Sequence, residues 1–158
     1  MTAPEAFPSE ARPRELELGV DTGSRDETAS KHGGRKRILV VDDAALMRAY
    51  YRQALERAGF EVEEALNGLE ALEKLLMQAF DVAIVDVNMP QMDGMTFLRA
   101  LRARELPAGG IPALVTSTEA GEQDVAAARN AGANYYLVKP VAQQTLVDYV
   151  AMLSGAAP

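Results

Sequence analysis

Several apolar runs in this chain end in residues able to do chemistry. Asp42 and Asp43 follow Arg37-Ile38-Leu39-Val40-Val41, and Asp86 closes Asp81-Val82-Ala83-Ile84-Val85. A further run ends at Ser117, and another, Tyr135-Tyr136-Leu137-Val138, delivers Lys139 followed by Pro140. Ligands of an open parallel sheet bind in the crevice beyond the strands' carboxyl ends, so polar groups at those ends would converge. Clustered carboxylates repel one another strongly unless a cation sits among them. With a lysine and a hydroxyl completing the ring, the fitting guests are Mg²⁺ and a phosphoryl group.

The elements that must position these residues follow from periodicity. From Lys36 onward, strand and helix patterns alternate five times. Strands are predicted over 37–42, 60–65, 81–86, 111–117 and 134–138, and helices over 44–58, about 68–79, 95–104, about 121–131 and 142–153. The first helix pattern puts Leu46, Tyr50, Ala54 and Leu55 on one face, and the second spaces Leu69, Leu72, Leu75 and Leu76 helically. Gly59 and Gly132 stand where helices commonly stop. Unbroken apolar runs in the first, third and fourth strands mean that both faces of the sheet are covered. That is the mark of an α/β fold with a doubly wound parallel sheet.

Composition narrows the class. The 158 residues allow one ordinary domain and an appendage, and an apolar content of 48% is ample for a core. A net charge of −7 argues against a nucleic-acid surface, which needs basic residues to neutralise phosphates. With no cysteine there is no disulfide, thiol nucleophile or thiolate metal site, which fits a cytoplasmic location. Residues 1–35 mix Pro, Gly and both signs of charge with few large apolar groups, and read as a disordered leader lacking any secretory signal. Within it, Leu16-Glu17-Leu18-Gly19-Val20 is a short apolar patch, and His32 is the chain's only histidine. No stretch has the roughly 18 to 20 apolar residues of a membrane span, so no membrane insertion is expected. The predicted organisation is a leader over 1–35, one domain over 36–154 and a tail over 155–158.

Taken in order, Asp42-Asp43, Asp86-Val87-Asn88-Met89-Pro90-Gln91-Met92-Asp93-Gly94, Ser117 and Lys139-Pro140 resemble the receiver domain of bacterial response regulators. The likeness is closest to the single-domain chemotaxis (CheY-like) type and covers roughly residues 36–154. No one of these motifs is specific; their order and spacing are. The resemblance implies a five-stranded, flavodoxin-like (βα)5 fold with strand order 2-1-3-4-5. It also implies a stand-alone phosphorylation switch of two-component signalling that assists its own phosphorylation and dephosphorylation and is not an enzyme in its own right. A histidine kinase would donate the phosphoryl group. A downstream protein would read the surface of the fourth helix, fifth strand and fifth helix, with the chain a monomer or weak dimer.

By the same resemblance, Asp86 is the phospho-acceptor and Asp43 the direct Mg²⁺ ligand. Asp42 holds metal-bound water, and the backbone carbonyl of Asn88 completes the protein's share. Few carboxylates and several waters suit Mg²⁺. Lys139 supplies a point charge to a phosphoryl oxygen, and its bond to Pro140 is cis. Tyr136 matches the aromatic that turns inward with the switch. Asn88 and Glu119, two residues beyond the acceptor and the switch hydroxyl, tune dephosphorylation. The switch hydroxyl itself has two candidates. Thr116 lies 30 residues past Asp86, a family-like count. Ser117 is preferred, because the segment from Pro112 to Lys139 then matches without a gap and the extra residue falls in the loop Pro107-Ala108-Gly109-Gly110. Alternation puts Val115 and Ser117 on one face and Thr116 on the other.

Plainer readings compete. Asp42 or Asp43 could simply cap the first helix. Met89, Met92 and Met95 read as packing, and Asp93-Gly94 as a turn and helix start. A hydrolase of the haloacid-dehalogenase type also forms an aspartyl phosphate, but needs an acid two residues after the nucleophile, where this chain has Asn88. A degenerate receiver used only for binding would lack site residues, and none is missing. For output, chemotaxis control at a motor switch protein is preferred over a phosphorelay shuttling phosphoryl to a histidine phosphotransfer protein.

Overall fold

The computed structural model describes residues 34–156. The leader patch, His32 and the last residues of the predicted tail lie outside the described residues. Five strands, β1 (Arg37–Val41), β2 (Glu61–Ala65), β3 (Val82–Asp86), β4 (Ala113–Ser117) and β5 (Tyr135–Val138), form one parallel sheet in the order β2-β1-β3-β4-β5. They alternate with α1 (Ala45–Arg57), α2 (Gly68–Met77), α3 (Gly94–Arg102), α4 (Glu122–Ala131) and α5 (Gln143–Ser154). The chain steps from β1 outward to β2 and then back across the sheet. Right-handed crossovers therefore put α1 and α5 on one face and α2, α3 and α4 on the other, and α1 packs on α5 while α3 packs between α2 and α4. Every residue of β3 and β4 is buried, as strands covered on both faces must be. Among the described residues, no helix is long and apolar enough to cross a membrane.

Several elements depart from their predicted form. The inward stripe of α1 runs through Met47, Tyr51, Ala54 and Leu55. Leu46 lies one position, about 100° of helix, off that stripe and is 85% exposed. Leu69 and Leu76 are also exposed, leaving Gly68, Ala71 and Leu75 as the buried residues of α2. Helix α3 stops at Arg102, short of the predicted 104, and β4 starts at Ala113 instead of 111. Between them lies a 3₁₀ turn, Ala108–Gly110, which the pattern did not signal. The Arg102 guanidinium organises that loop, donating to the carbonyls of Gly109 (2.9 Å), Ile111 (2.7 Å) and Gly132 (3.0 Å) and to Asn134 Oδ1 (3.0 Å). Burial without a carboxylate partner pushes Arg102 down to about 10. Gly132 ends α4 in the left-handed region, φ 114°, as its C-cap.

Candidate functional site

The strands deliver their polar residues to one end of the sheet. One carboxylate oxygen from each of Asp42, Asp43 and Asp86 lies within 4.8 Å of the others. Asp42 and Asp86 are buried, at 1% and 6% exposure, while Asp43 faces solvent. Lys139, just beyond β5, donates to Asp86 Oδ1 at 2.9 Å and to Asp42 Oδ2 at 3.2 Å. Its peptide bond to Pro140 is cis. Neither aspartate occupies the N-cap of α1; that position is Ala44, whose side chain makes no capping bond. Asp42 instead accepts from the Ala44 backbone N–H at 2.9 Å, and Arg48 donates to the Asp42 carbonyl at 2.8 Å. The strand end is thereby tied to the first turn of α1.

Electrostatics at this point are unbalanced. Burial raises the Asp86 carboxyl above its ordinary range; the Lys139 hydrogen bond opposes this, and the charges of Asp42 and Asp43 add to it. Burial also works against the Lys139 ammonium, but its bond to Asp86 and the field of Asp42 outweigh burial and raise it. One ammonium cannot neutralise three carboxylates. The surplus negative charge, held on oxygens and open to solvent at Asp43, fits a hard divalent cation such as Mg²⁺.

The loop after β3 folds back tightly beside the end of that strand, Gly94 N–H donating to the Val87 carbonyl at 2.9 Å. Asp93 caps α3, accepting from the Thr96 N–H at 2.9 Å. Gly94 packs so closely that a Cβ there would collide with the Asp86 carbonyl oxygen. Gln91 holds φ at 69°, inside a tight turn closed by Met92 N–H to the Pro90 carbonyl at 2.8 Å. Asn88 is exposed, Met89 is in the core, and Met92 and Met95 pack against it.

The two candidate hydroxyls go to different surroundings. Ser117 Oγ accepts from the Glu119 N–H at 3.0 Å, and the Tyr136 hydroxyl donates to the Glu119 carbonyl at 2.7 Å. Burial raises the Tyr136 hydroxyl and the Ser117 hydroxyl acts against that rise, so the two side chains are near neighbours. The Tyr136 ring is inside, at 1% exposure. Thr116 stands beside Asp86 in the β3–β4 register; its hydroxyl is fully buried and has no hydrogen-bond partner. Sequence reasoning missed Tyr51, whose fully buried hydroxyl is likewise unpartnered and feels the charges of Lys139, Asp42 and Asp86. Its place on the inward stripe of α1, the helix that follows Asp42 and Asp43, was the available signal.

Comparison with known proteins agrees with this geometry. Chemotaxis protein CheY1 of Helicobacter pylori is 40% identical over 121 residues, which span 75% of this chain and 97% of that protein. Transcriptional regulatory protein PrrA of Mycobacterium leprae is 38% identical over 117 residues, covering 74% of this chain but 49% of PrrA. Among solved structures, chemotaxis protein CheY4 of Vibrio cholerae superposes with a TM-score of 0.71 at 36% identity, over 75% of this chain and 98% of CheY4. The profile of the response regulator receiver domain family matches residues 38–151, and the chain belongs to that family, the receiver modules of two-component signalling.

Proposed function

We propose that this receiver takes a phosphoryl group from a histidine kinase onto Asp86, with Mg²⁺ held by Asp43, Asp42, Asp86 and the Asn88 carbonyl. The observation that carries the reading is the convergence of three carboxylates within 4.8 Å with one ammonium bridging two of them. When bound, Mg²⁺ neutralises charge on the phosphoryl oxygens. An oxygen of Asp86 forms the new O–P bond as the bond from phosphorus to the donor's leaving group breaks. A carboxylate is a weak nucleophile, so catalysis rests on holding the phosphorus in line and neutralising its oxygens. Lys139, already directed at Asp86 Oδ1, supplies the second positive charge.

Ser117 is the hydroxyl that meets the new phosphoryl group, and Tyr136 the side chain that reports it. Their shared connection to Glu119 supports that pairing. The affected surface is α4, β5 and α5, and the output is altered affinity for a partner protein. Similarity to two chemotaxis proteins favours motility control. The test is intact mass after incubation with acetyl phosphate and Mg²⁺. One phosphoryl group is expected on the wild type and none on Asp86→Asn or Asp43→Ala, both folded. Phosphoryl on Asp86→Asn at the wild-type level would overturn the assignment.

A further inference from the structure

The acidic site sits at the carboxyl ends of the strands, and the opposite end of the sheet carries a cleft of its own. About 570 Å³ in volume, it lies between the last turn of α2 and the α3–β4 loop, and Leu75, Phe80, Leu106, Pro107 and Ile111 make it largely apolar. Leu106 is 66% exposed, and Leu76 and Met77, between the lining residues Leu75 and Gln78, are 71% and 81% exposed. A folded surface rarely gathers large apolar side chains around a cleft unless something covers them.

The cleft is preformed. Its wall over 104–108 is held by Arg102, which donates to the Gly109 and Ile111 carbonyls. Gly109 packs so closely behind it that a Cβ there would collide with the Arg104 carbonyl oxygen. Charge in the cleft is uneven. Glu105 is exposed, whereas Arg104 Nε is buried without a hydrogen-bond partner, and Arg104 makes no ion pair among the described residues.

The point where the chain enters the domain selects the occupant. Arg37 opens β1, donating its main-chain N–H to Asp81 Oδ2 at 2.8 Å and reaching the Ala79 carbonyl with its guanidinium at 3.5 Å. Ala79 belongs to the cleft lining, so the segment before Arg37 starts at the cleft's edge. That segment contains Leu16-Glu17-Leu18-Gly19-Val20. Residues 21–36, which join it to Arg37, span up to about 50 Å when extended. A tether on that scale gives an effective concentration of roughly millimolar, so even a weak contact is populated.

We propose that Leu16, Leu18 and Val20 occupy this cleft, with the Glu17 carboxylate meeting the Arg104 guanidinium at its rim. In an extended segment the three apolar residues fall on one side and Glu17 on the other. That matches a floor of buried Leu75, Phe80 and Ile111 below a half-buried Arg104. Docking there leaves the acidic site open, since Phe80 and Ile111 precede β3 and β4 whereas Asp86 and Ser117 end them.

The test uses the full chain in solution. The sequence has no cysteine, so a nitroxide attached at Thr22→Cys marks this segment alone. Broadening of the amide signals of Leu75, Leu106 and Ala108 is expected, with those of Asp86 and Tyr136 unaffected. Adding Leu16→Ser and Leu18→Ser should abolish the broadening; both lie before β1, so unchanged domain signals show that only the contact was lost. Arg104→Gln should weaken docking about twofold, the scale of one half-exposed ion pair. A mixture of isotope-labelled chain without nitroxide and nitroxide-bearing chain without isotope should show no broadening. Broadening of equal size in that mixture would assign the cleft to a second copy and overturn the proposal. So would an absence of broadening at the cleft within one chain, or broadening that survives loss of both leucines.

Discussion

Lys139 and Asp86 are joined by a 2.9 Å hydrogen bond that passes from the end of β5 to the end of β3, over the intervening strand β4. The same ammonium reaches Asp42 at the end of β1. One side chain thus ties three strand ends together. The charge left over by that arrangement sets the behaviour of the metal-free protein.

Asp86 titrates high because burial and its acidic neighbours penalise its charge. The folded state therefore holds that proton more tightly than the unfolded chain, and stability falls as pH rises from the ordinary carboxyl range through the folded value. Asp86→Asn removes the penalty while its amide oxygen can still accept from Lys139. In chelator at neutral pH, its melting temperature should exceed wild type by about 2–5 °C. The difference should vanish in acid, where both proteins are uncharged at this position. Asp43→Ala should be neutral or shift the same way by less, since Asp43 faces solvent. A clear loss of stability in either variant would contradict the repulsive cluster.

Ser117 and Thr116 separate phosphoryl chemistry from its transmission. Ser117→Ala keeps the nucleophile, the acidic cluster and Lys139, so it should still accept phosphoryl. It loses a charge-assisted hydrogen bond of about 1.5–3 kcal/mol, enough to return a switch of a few kcal/mol largely to its inactive population. NMR of the Tyr136 ring with and without beryllofluoride should respond in wild type and Thr116→Ala but not in Ser117→Ala. The reverse pattern would make Thr116 the switch.

Gln91 carries backbone strain. A side chain at φ 69° in a three-residue turn costs about 1–3 kcal/mol, whereas glycine adopts that conformation freely. Gln91→Gly gives up only an exposed 3.3 Å contact with Asn67 and a small entropic advantage. It should raise unfolding free energy in urea by about 0.5–1 kcal/mol, with an unchanged slope.

Arg102 should be among the costliest single residues outside the site. Arg102→Leu removes the side-chain donor of the Gly109, Ile111 and Gly132 carbonyls at once, and leaves Asn134 Oδ1 with only the Ala113 N–H. A loss of about 3 kcal/mol or more is expected in urea denaturation, with Arg102→Lys recovering only part, since an ammonium lacks the planar fork.

Much of this protein was written locally. Alternating β and α periods, the buried runs of β3 and β4, and the glycine that stops α4 each depend on a few neighbouring residues, so order and type of elements could be read directly. The acidic residues at strand ends could be read as one site because a parallel sheet brings its carboxyl ends together whatever the loops do. What periodicity left open is the angle at which a helix meets the sheet. Leu46 and Tyr51 both fit an apolar face, and only docking of α1 made one 85% exposed and the other fully buried. Tertiary contact also decided where α3 ends, because Arg102 turns to acceptors as distant in sequence as Asn134. The surroundings of Ser117 and Thr116 were settled in the same way. Alternation assigns them opposite faces, but what each face holds, Glu119 with Tyr136 or Asp86 with Tyr51, depends on partners brought in from β5 and α1.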